Sequence, residues 1–286
     1  MRPHIPLLDT NAMPWQELPA PGILSKRLST DPATGARTAL QRVVPAKGYK
    51  APSTAHWHHT DEEILVVKGL MSFDSKVWLR PGAYCFHPAG TVHGFKSSVP
   101  EESWFLSRVG KDLDFNFVPT PRQLTYYTAE GEAAPVRTAG AIPESRTQRW
   151  QTMRNRAGKI VAQQLILSRH PKTGEGSMFL RCRAGWASAA RPYRHSVYEE
   201  VFVLEGQVAS DDGIVMNQGC YAFRPPGTTQ APFRCADHAL LYVNFGGDLD
   251  YAPVGRTRRA AGKTAAKKTA ARKKTAAAKT KKKRKT

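Results

Sequence analysis

The chain is poor in cysteine and has no long hydrophobic run. Four cysteines, Cys85, Cys182, Cys220 and Cys235, are spread over 286 residues. No two stand at C-x-x-C spacing, which excludes a thiolate zinc finger or a thioredoxin-type redox motif. In a reducing compartment they are expected to be inert, mostly buried thiols. No stretch approaches the roughly 18 apolar residues that a membrane-spanning helix needs, so no membrane association is expected. The first residues, MRPHIPLLDTNAMPW, lack the apolar core of a signal peptide, and a cytoplasmic location is expected. Acid is missing from one end of the chain. From Arg256 to Thr286 there are 15 Lys or Arg and no Asp or Glu. Of the 43 basic residues, 28 therefore fall in the first 255 positions against all 23 acids, a net charge of only +5 there. The overall charge of +20 belongs to the tail.

What the chain does have is the same motif pair twice, at an offset of 137 residues. HWHHTDEEILVVKG (56–69) with PGAYCFHPAGTVH (81–93) returns as YRHSVYEEVFVLEG (193–206) with QGCYAFRPPGTTQ (218–230). Over residues 56–93 and 193–230 the register needs no gap, and 12 of 38 positions are identical. They include His58/His195, Glu62/Glu199, Gly69/Gly206, Gly82/Gly219, Pro88/Pro225 and Gly90/Gly227. A repeat that holds register this long means two copies of one folded unit.

Between the motifs run short β-branched and aromatic stretches broken by Gly, Pro, Asp and Ser. They are ALQRVV (39–44), EILVV (63–67), KVWL (76–79) and AYCF (83–86), then KIVAQQLIL (159–167), SMFLRC (177–182), EVFVL (200–204), GIVM (213–216) and ALLYVNF (239–245). Nothing in them sustains helical periodicity. The expected class is all-β, two tandem barrels or sandwiches. The expected organisation is a first domain over 1–127, a polar linker over 128–149 with Pro135 and Pro143, a second domain over 150–252, and a tail over 253–286. The tail is Ala, Lys and Thr of low complexity. It has too little apolar surface to offset the entropy of ordering and is expected to be disordered.

His56 and His58 stand two apart, which on a strand puts both imidazoles on one face. Glu62 has the same parity, and His93 follows a Pro-Ala-Gly turn. These four are the candidate metal ligands. Three imidazoles and a carboxylate suit iron, manganese, zinc, nickel or copper by ligand type. Three or four protein ligands leave coordination positions open, as a catalytic site requires. At the repeat-equivalent positions stand Tyr193, His195, Glu199 and Gln230, a set short of two imidazoles, so the second copy reads as a degenerate, metal-free unit kept for packing. His59 points away from His58 and is expected in solvent; His87 is expected at the surface or as a supporting group. Trp57, Trp78, Tyr84, Phe86, Phe95 and Trp104 are candidates to line an apolar pocket. Tyr84 and Phe86 recur as Tyr221 and Phe223, which points those two to packing.

HxHxxxE with a following Gly, then GxxxxxPxGxxH, resembles the paired signature of the cupin superfamily. That resemblance implies a bicupin: two tandem jelly-roll β-barrels, with the metal on His56, His58, Glu62 and His93. PWQELPAPGILSKRLSTDPATG (14–35) ahead of the histidine motif is similar to the ChrR-type cupins, which include zinc-binding domains of anti-sigma factors and the dihydroxyacetophenone and acetylacetone dioxygenases. One departure is Ser97, where many cupins carry Asn. The likeness implies an iron-dependent dioxygenase that takes a small carbonyl substrate, a diketone or an aryl hydroxyketone, and dioxygen, and cleaves a carbon–carbon bond. A non-catalytic zinc-binding or sensory cupin of anti-sigma type and a cupin isomerase are the alternatives. Glu63 and His59 are candidate acid–base groups by proximity alone. The tail resembles the Lys- and Ala-rich tails of histone-like proteins, which implies nonspecific association with nucleic acid phosphates, and with it a place at the nucleoid. A homodimer is left open.

Overall fold

In a computed structural model that describes residues 1–120, 127–129, 140–142 and 148–254, two antiparallel sheets repeat one strand order. The first runs Gly140–Ile142, Tyr84–His87, Glu62–Lys68, Ser103–Val109, Arg37–Val43, Ile23–Thr30 and Gln16–Glu17. The second runs Ile5–Asp9, Cys220–Arg224, Glu199–Ser210, His238–Phe245, Gly176–Arg183, Ile160–Arg169 and Gln151–Arg154. Apart from the leading strand of each, the strands of the second sheet follow those of the first at about the repeat offset. Short strands complete each barrel, among them His56–Trp57 paired with Asn116–Phe117. The described residues contain no α-helix, only one 3₁₀ turn at Pro45–Lys47. No helix among them is long and apolar enough to cross a membrane.

The end strands change places. Ile5–Asp9 opens the chain but pairs with Cys220–Arg224 of the second repeat. Gly140–Ile142, from the expected linker, pairs with Tyr84–His87 of the first. Tyr127–Thr128 likewise pairs with Thr91–Val92. The boundaries expected at 127 and 150 thus fall inside an exchange of edge strands. Pairing removes the open backbone edge that each sheet would otherwise present. The rest of the 128–149 linker, and the tail expected to be disordered, lie outside the described residues. Met1–Ala252 forms one compact unit; of the second, Pro253–Thr286, Pro253 and Val254 are described.

Strand parity divides the cores. Successive side chains point to opposite faces of a strand. Cys85 therefore joins Ile64, Val66, Met71, Leu79 and Ala83 inside the first barrel. Tyr84 and Phe86 face out and pack with Leu65 and Leu106 on Phe179, Phe202, Tyr221, Phe223 and Tyr242 of the second barrel. The packing role expected for Tyr84 and Phe86 is met there. All four cysteines are free and buried. Residues 76–79, expected as a strand, form none. Ser75 has φ 58, the Asp74 carboxylate accepts from the Lys76 and Val77 amides at 2.8 Å, and only a single bridge joins Met71 to Leu79. An Asp that binds the backbone two residues on competes with strand pairing.

Candidate metal centre

The same parity rule splits the dipeptide Glu62-Glu63. Glu62 faces into the first barrel and Glu63 faces out, where Ser177 Oγ (2.7 Å), Tyr242 Oη (2.9 Å) and Asn244 Nδ2 (3.1 Å) of the second barrel donate to its Oε2. Glu63 is therefore spent on docking the barrels, and its expected place beside the site as an acid–base group is corrected. Its repeat partner Glu200 does the same from the other side, taking Arg2 Nη1 at 3.1 Å and the Tyr221 hydroxyl at 2.6 Å. Arg108 lies between them, 3.6 Å from Glu63 and 3.5 Å from Glu200.

Inside the barrel, His56, His58 and His93 each offer a nitrogen, and these atoms lie within 4.8 Å of one another. All three are buried, with 4, 2 and 1% of their surface exposed. Backbone pairing of His56 with His93, N–H to carbonyl at 3.0 and 2.9 Å, fixes the two strands that carry them. Each ring meets a backbone carbonyl through Nδ1: His56 that of Thr54 (3.0 Å), His93 that of Thr91 (2.9 Å), His58 that of Asp114. Donation from Nδ1 leaves Nε2 with its lone pair, the tautomer a metal ligand needs. Glu62 Oε2 stands 3.4 Å from His93 Nε2 and 3.9 Å from His58 Nε2.

His87 is the residue the sequence undervalued. It is fully buried, stacks on His93 with ring centroids 3.8 Å apart, and its Nδ1 lies 3.1 Å from Glu62 Oε2. Its Nε2 meets Cys85 Sγ at 3.2 Å. Glu62, His87 and His93 form a second triad with ligand atoms within 4.8 Å. A supporting role was expected; a place at the surface was not borne out. His59 is exposed as expected and pairs with Asp114 at 2.6 Å.

Burial sets the charge of the site. It lowers the pKa of His56 to about 4 and also holds those of His58, His87 and His93 below the usual imidazole value. Burial would raise that of Glu62, but the hydrogen bond from His87 and the closeness of the His93 ring outweigh it and hold the carboxyl well below its ordinary range. At neutral pH the centre is then a carboxylate among neutral imidazoles: ligands already deprotonated, with one negative charge to attract a cation.

The residues fit a metal, and the backbone makes room for the fit. Gly94 has φ +73, and a Cβ there would come within 2.4 Å of His56 Cε1. Its repeat counterpart is Ala231, beside Gln230 and opposite Tyr193. The glycine is lost where the imidazole is lost.

The wall over the centre differs from the expected aromatic set. Phe73 packs edge-on to His87 at 5.1 Å, Phe115 to His58 at 4.9 Å, and Phe117 lies 5.8 Å from His56. Trp104 instead packs on Trp15 at 5.0 Å, away from the ligands on the strand Ser103–Val109. Trp57 packs on His59, and Phe95 lies in the core with Ala55 and Val92. Phe115 recurs as Tyr251, in DLDF (112–115) and DLDY (248–251), a short repeat outside the motif pair that signals it in the sequence; Phe117 has no such signal.

In the second barrel, Tyr193, His195, Glu199 and Gln230 also come together: Tyr193 Oη is 3.3 Å from Gln230 Oε1, and His195 Nε2 is 3.8 Å from Glu199 Oε1. No group of three His, Cys, Asp or Glu ligands forms there among the described residues.

Two antiparallel barrels, one with inward imidazoles and a carboxylate, define a bicupin. The chain belongs to the family of ChrR cupin-like domains, which it matches twice, over residues 5–110 and 139–248. No curated protein matches it. Among solved structures it is similar to a candidate dioxygenase of Nostoc punctiforme (TM-score 0.65, 19% identity, 87% of each chain). It is also similar to a candidate glyoxylate-induced protein of Pseudomonas aeruginosa (0.56, 13%, 88% of this chain and 91% of that one). A third likeness is to salicylate 1,2-dioxygenase of Pseudoaminobacter salicylatoxidans (0.52, 15%, 78% and 75%). At these identities the likeness is one of fold.

Proposed function

We propose that the first barrel binds one divalent transition metal, iron(II) foremost, on His56, His58, Glu62 and His93. In this reading the protein is a dioxygenase that cleaves a carbon–carbon bond of a small diketone or aryl hydroxyketone. The observation that carries it is the set of three buried imidazoles, each tied through Nδ1 to a carbonyl, around one ionised carboxylate. Zinc and manganese suit the same donors.

A bound ferrous ion would polarise the substrate carbonyls as a Lewis acid and give electrons a path to dioxygen. The chain supplies the rest. Carbonyls of Thr54, Thr91 and Asp114 fix the imidazole tautomers. His87 donates to Glu62 and orients its carboxylate. Phe73 and Phe115 back the imidazoles with apolar surface. Of the two candidate acid–base groups, Glu63 faces the other barrel and His59 is held by Asp114.

Oxygen uptake by iron-loaded protein over a panel of β-diketones and aryl hydroxyketones tests this reading. Consumption with at least one member, with two cleavage products, is expected. A flat trace throughout, with stoichiometric zinc in the purified protein, would overturn it in favour of the zinc-binding regulatory cupin, and an unoxidised isomeric product would favour the isomerase. The proposed contact of the tail with nucleic acid rests on its 15 cations; binding to duplexes of unrelated sequence should weaken together and steeply with salt.

A further inference from the structure

Position 87 has a counterpart in the second repeat, and it is Arg224. The guanidinium is buried, with 6% exposed; its Nη1 donates to Glu199 Oε2 at 3.0 Å, and it lies over Phe233 at 4.9 Å. The chain thus places a cation of its own against the carboxylate that in the first barrel faces imidazoles. What remains there is a polar end with unspent groups. His195 is 2% exposed and meets the Asp250 carbonyl through Nδ1, while its Nε2 has no hydrogen-bond partner among the described residues. Ser188 Oγ receives the Phe233 amide at 2.9 Å and lies 3.1 Å from Tyr193 Oη.

Beside this polar end the barrel is hollow. A cavity of about 40 Å³ is lined by Ser188, Tyr193, Glu199 and Arg224 at one end and by apolar side chains that include Met178 and Met216. That is room for about three waters, between walls that include two adaptable thioethers. A surface pocket of about 140 Å³, lined by His4 and Gln230, shares Arg224 and Phe233 with it and offers a way in.

We propose that the second barrel is a metal-independent binding site for a small neutral alcohol. The paired charges select against ions of either sign: an anion at Arg224 meets Glu199, and a cation at Glu199 meets Arg224. A hydroxyl group both gives and takes. It can donate toward the carboxylate and accept from the serine hydroxyl or the guanidinium, while its carbon body replaces water against the apolar wall.

The full chain labelled with ¹³C at its methionine methyl groups tests this, since Met178 and Met216 line the cavity and Met71 lies in the first barrel's core. The probes are 2-propanol, 2-chloropropane, isopropylammonium and acetate. Saturable shifts of Met178 and Met216 but not Met71 are expected with 2-propanol. Binding of 2-chloropropane should be at least tenfold weaker, and the two ions should give no saturable shift. The response should survive chelation and His93→Ala, which act on the other barrel. Absence of a saturable shift with 2-propanol would overturn the proposal. So would equal binding of 2-chloropropane, which would mark a mere apolar void, or preference for either ion.

Discussion

Gly94 lies against the imidazole of His56, with no space for a Cβ between the glycine and the ring: the added carbon would stand 2.4 Å from Cε1 and 2.8 Å from Nδ1. Gly94→Ala should therefore displace a ligand without altering any ligand. Its positive φ adds backbone strain for any residue with a side chain. Metal affinity, measured by competition with a chelating dye, should fall at least tenfold while the circular dichroism spectrum keeps its β signature. An unchanged affinity would show that His56 does not hold the metal.

His93→Ala should remove most of the metal from the purified protein, which is expected to carry close to one ion per chain. Elemental analysis beside the wild type decides this. Two ions per chain would contradict the metal-free reading of the second barrel.

His87→Gln keeps a hydrogen-bond donor near Glu62 but loses the ring stacked on His93. Substitutions of groups that orient ligands cost about 10- to 100-fold in affinity. A loss in that range is expected, smaller than that of His93→Ala. Loss as complete as in His93→Ala would make His87 a ligand in its own right.

The pKa of His56 sets a pH dependence for the metal-free protein. Burial lowers it from 6.5 to about 4 in the folded state. Between those values the unfolded chain binds the proton and the folded one does not, so stability is lost as the pH is lowered through that window. The change amounts to about 3 kcal/mol for this group alone. Urea midpoints of chelated protein should drop between pH 7 and pH 4, and the slope should flatten in His56→Leu. A midpoint indifferent to pH would contradict the burial of these imidazoles.

Arg2→Ala should weaken the union of the barrels. Arg2 donates to Glu200 and also to Thr38 (3.0 Å), tying the first residues of the chain to both repeats. Removing one partner of a buried ion pair costs about 3 kcal/mol or more. Denaturant unfolding should show that loss, and a change within error would mean that Arg108 and Tyr221 suffice to hold Glu200.

Much of this molecule can be read from its sequence, because register carries it. The HxHxxxE spacing put His56, His58 and Glu62 on one face, and the offset of 137 identified the weakened copy and the packing role of Tyr84 and Phe86. What escaped depends on contacts between segments far apart in the chain. Glu63 and Glu62 look alike in sequence; only the position of the other barrel tells them apart. His87 gains its role from stacking on a residue six positions on. The exchange of Ile5–Asp9 and Gly140–Ile142 has no local signature at all. Two further differences between the repeats mark the site: Gly94 becomes Ala231 where His56 becomes Tyr193, and His87 becomes Arg224.

The exchanged edge strands mean that neither half of this chain is a finished object. Cut between its repeats, each piece would carry away the strip that seals its neighbour and leave its own flank bare. A lone repeat with such an arm could be made whole by a twin, each lending the other its first strand. Joined head to tail, the two no longer need to be identical, and one can give up its ligands while it still closes the fold around the other.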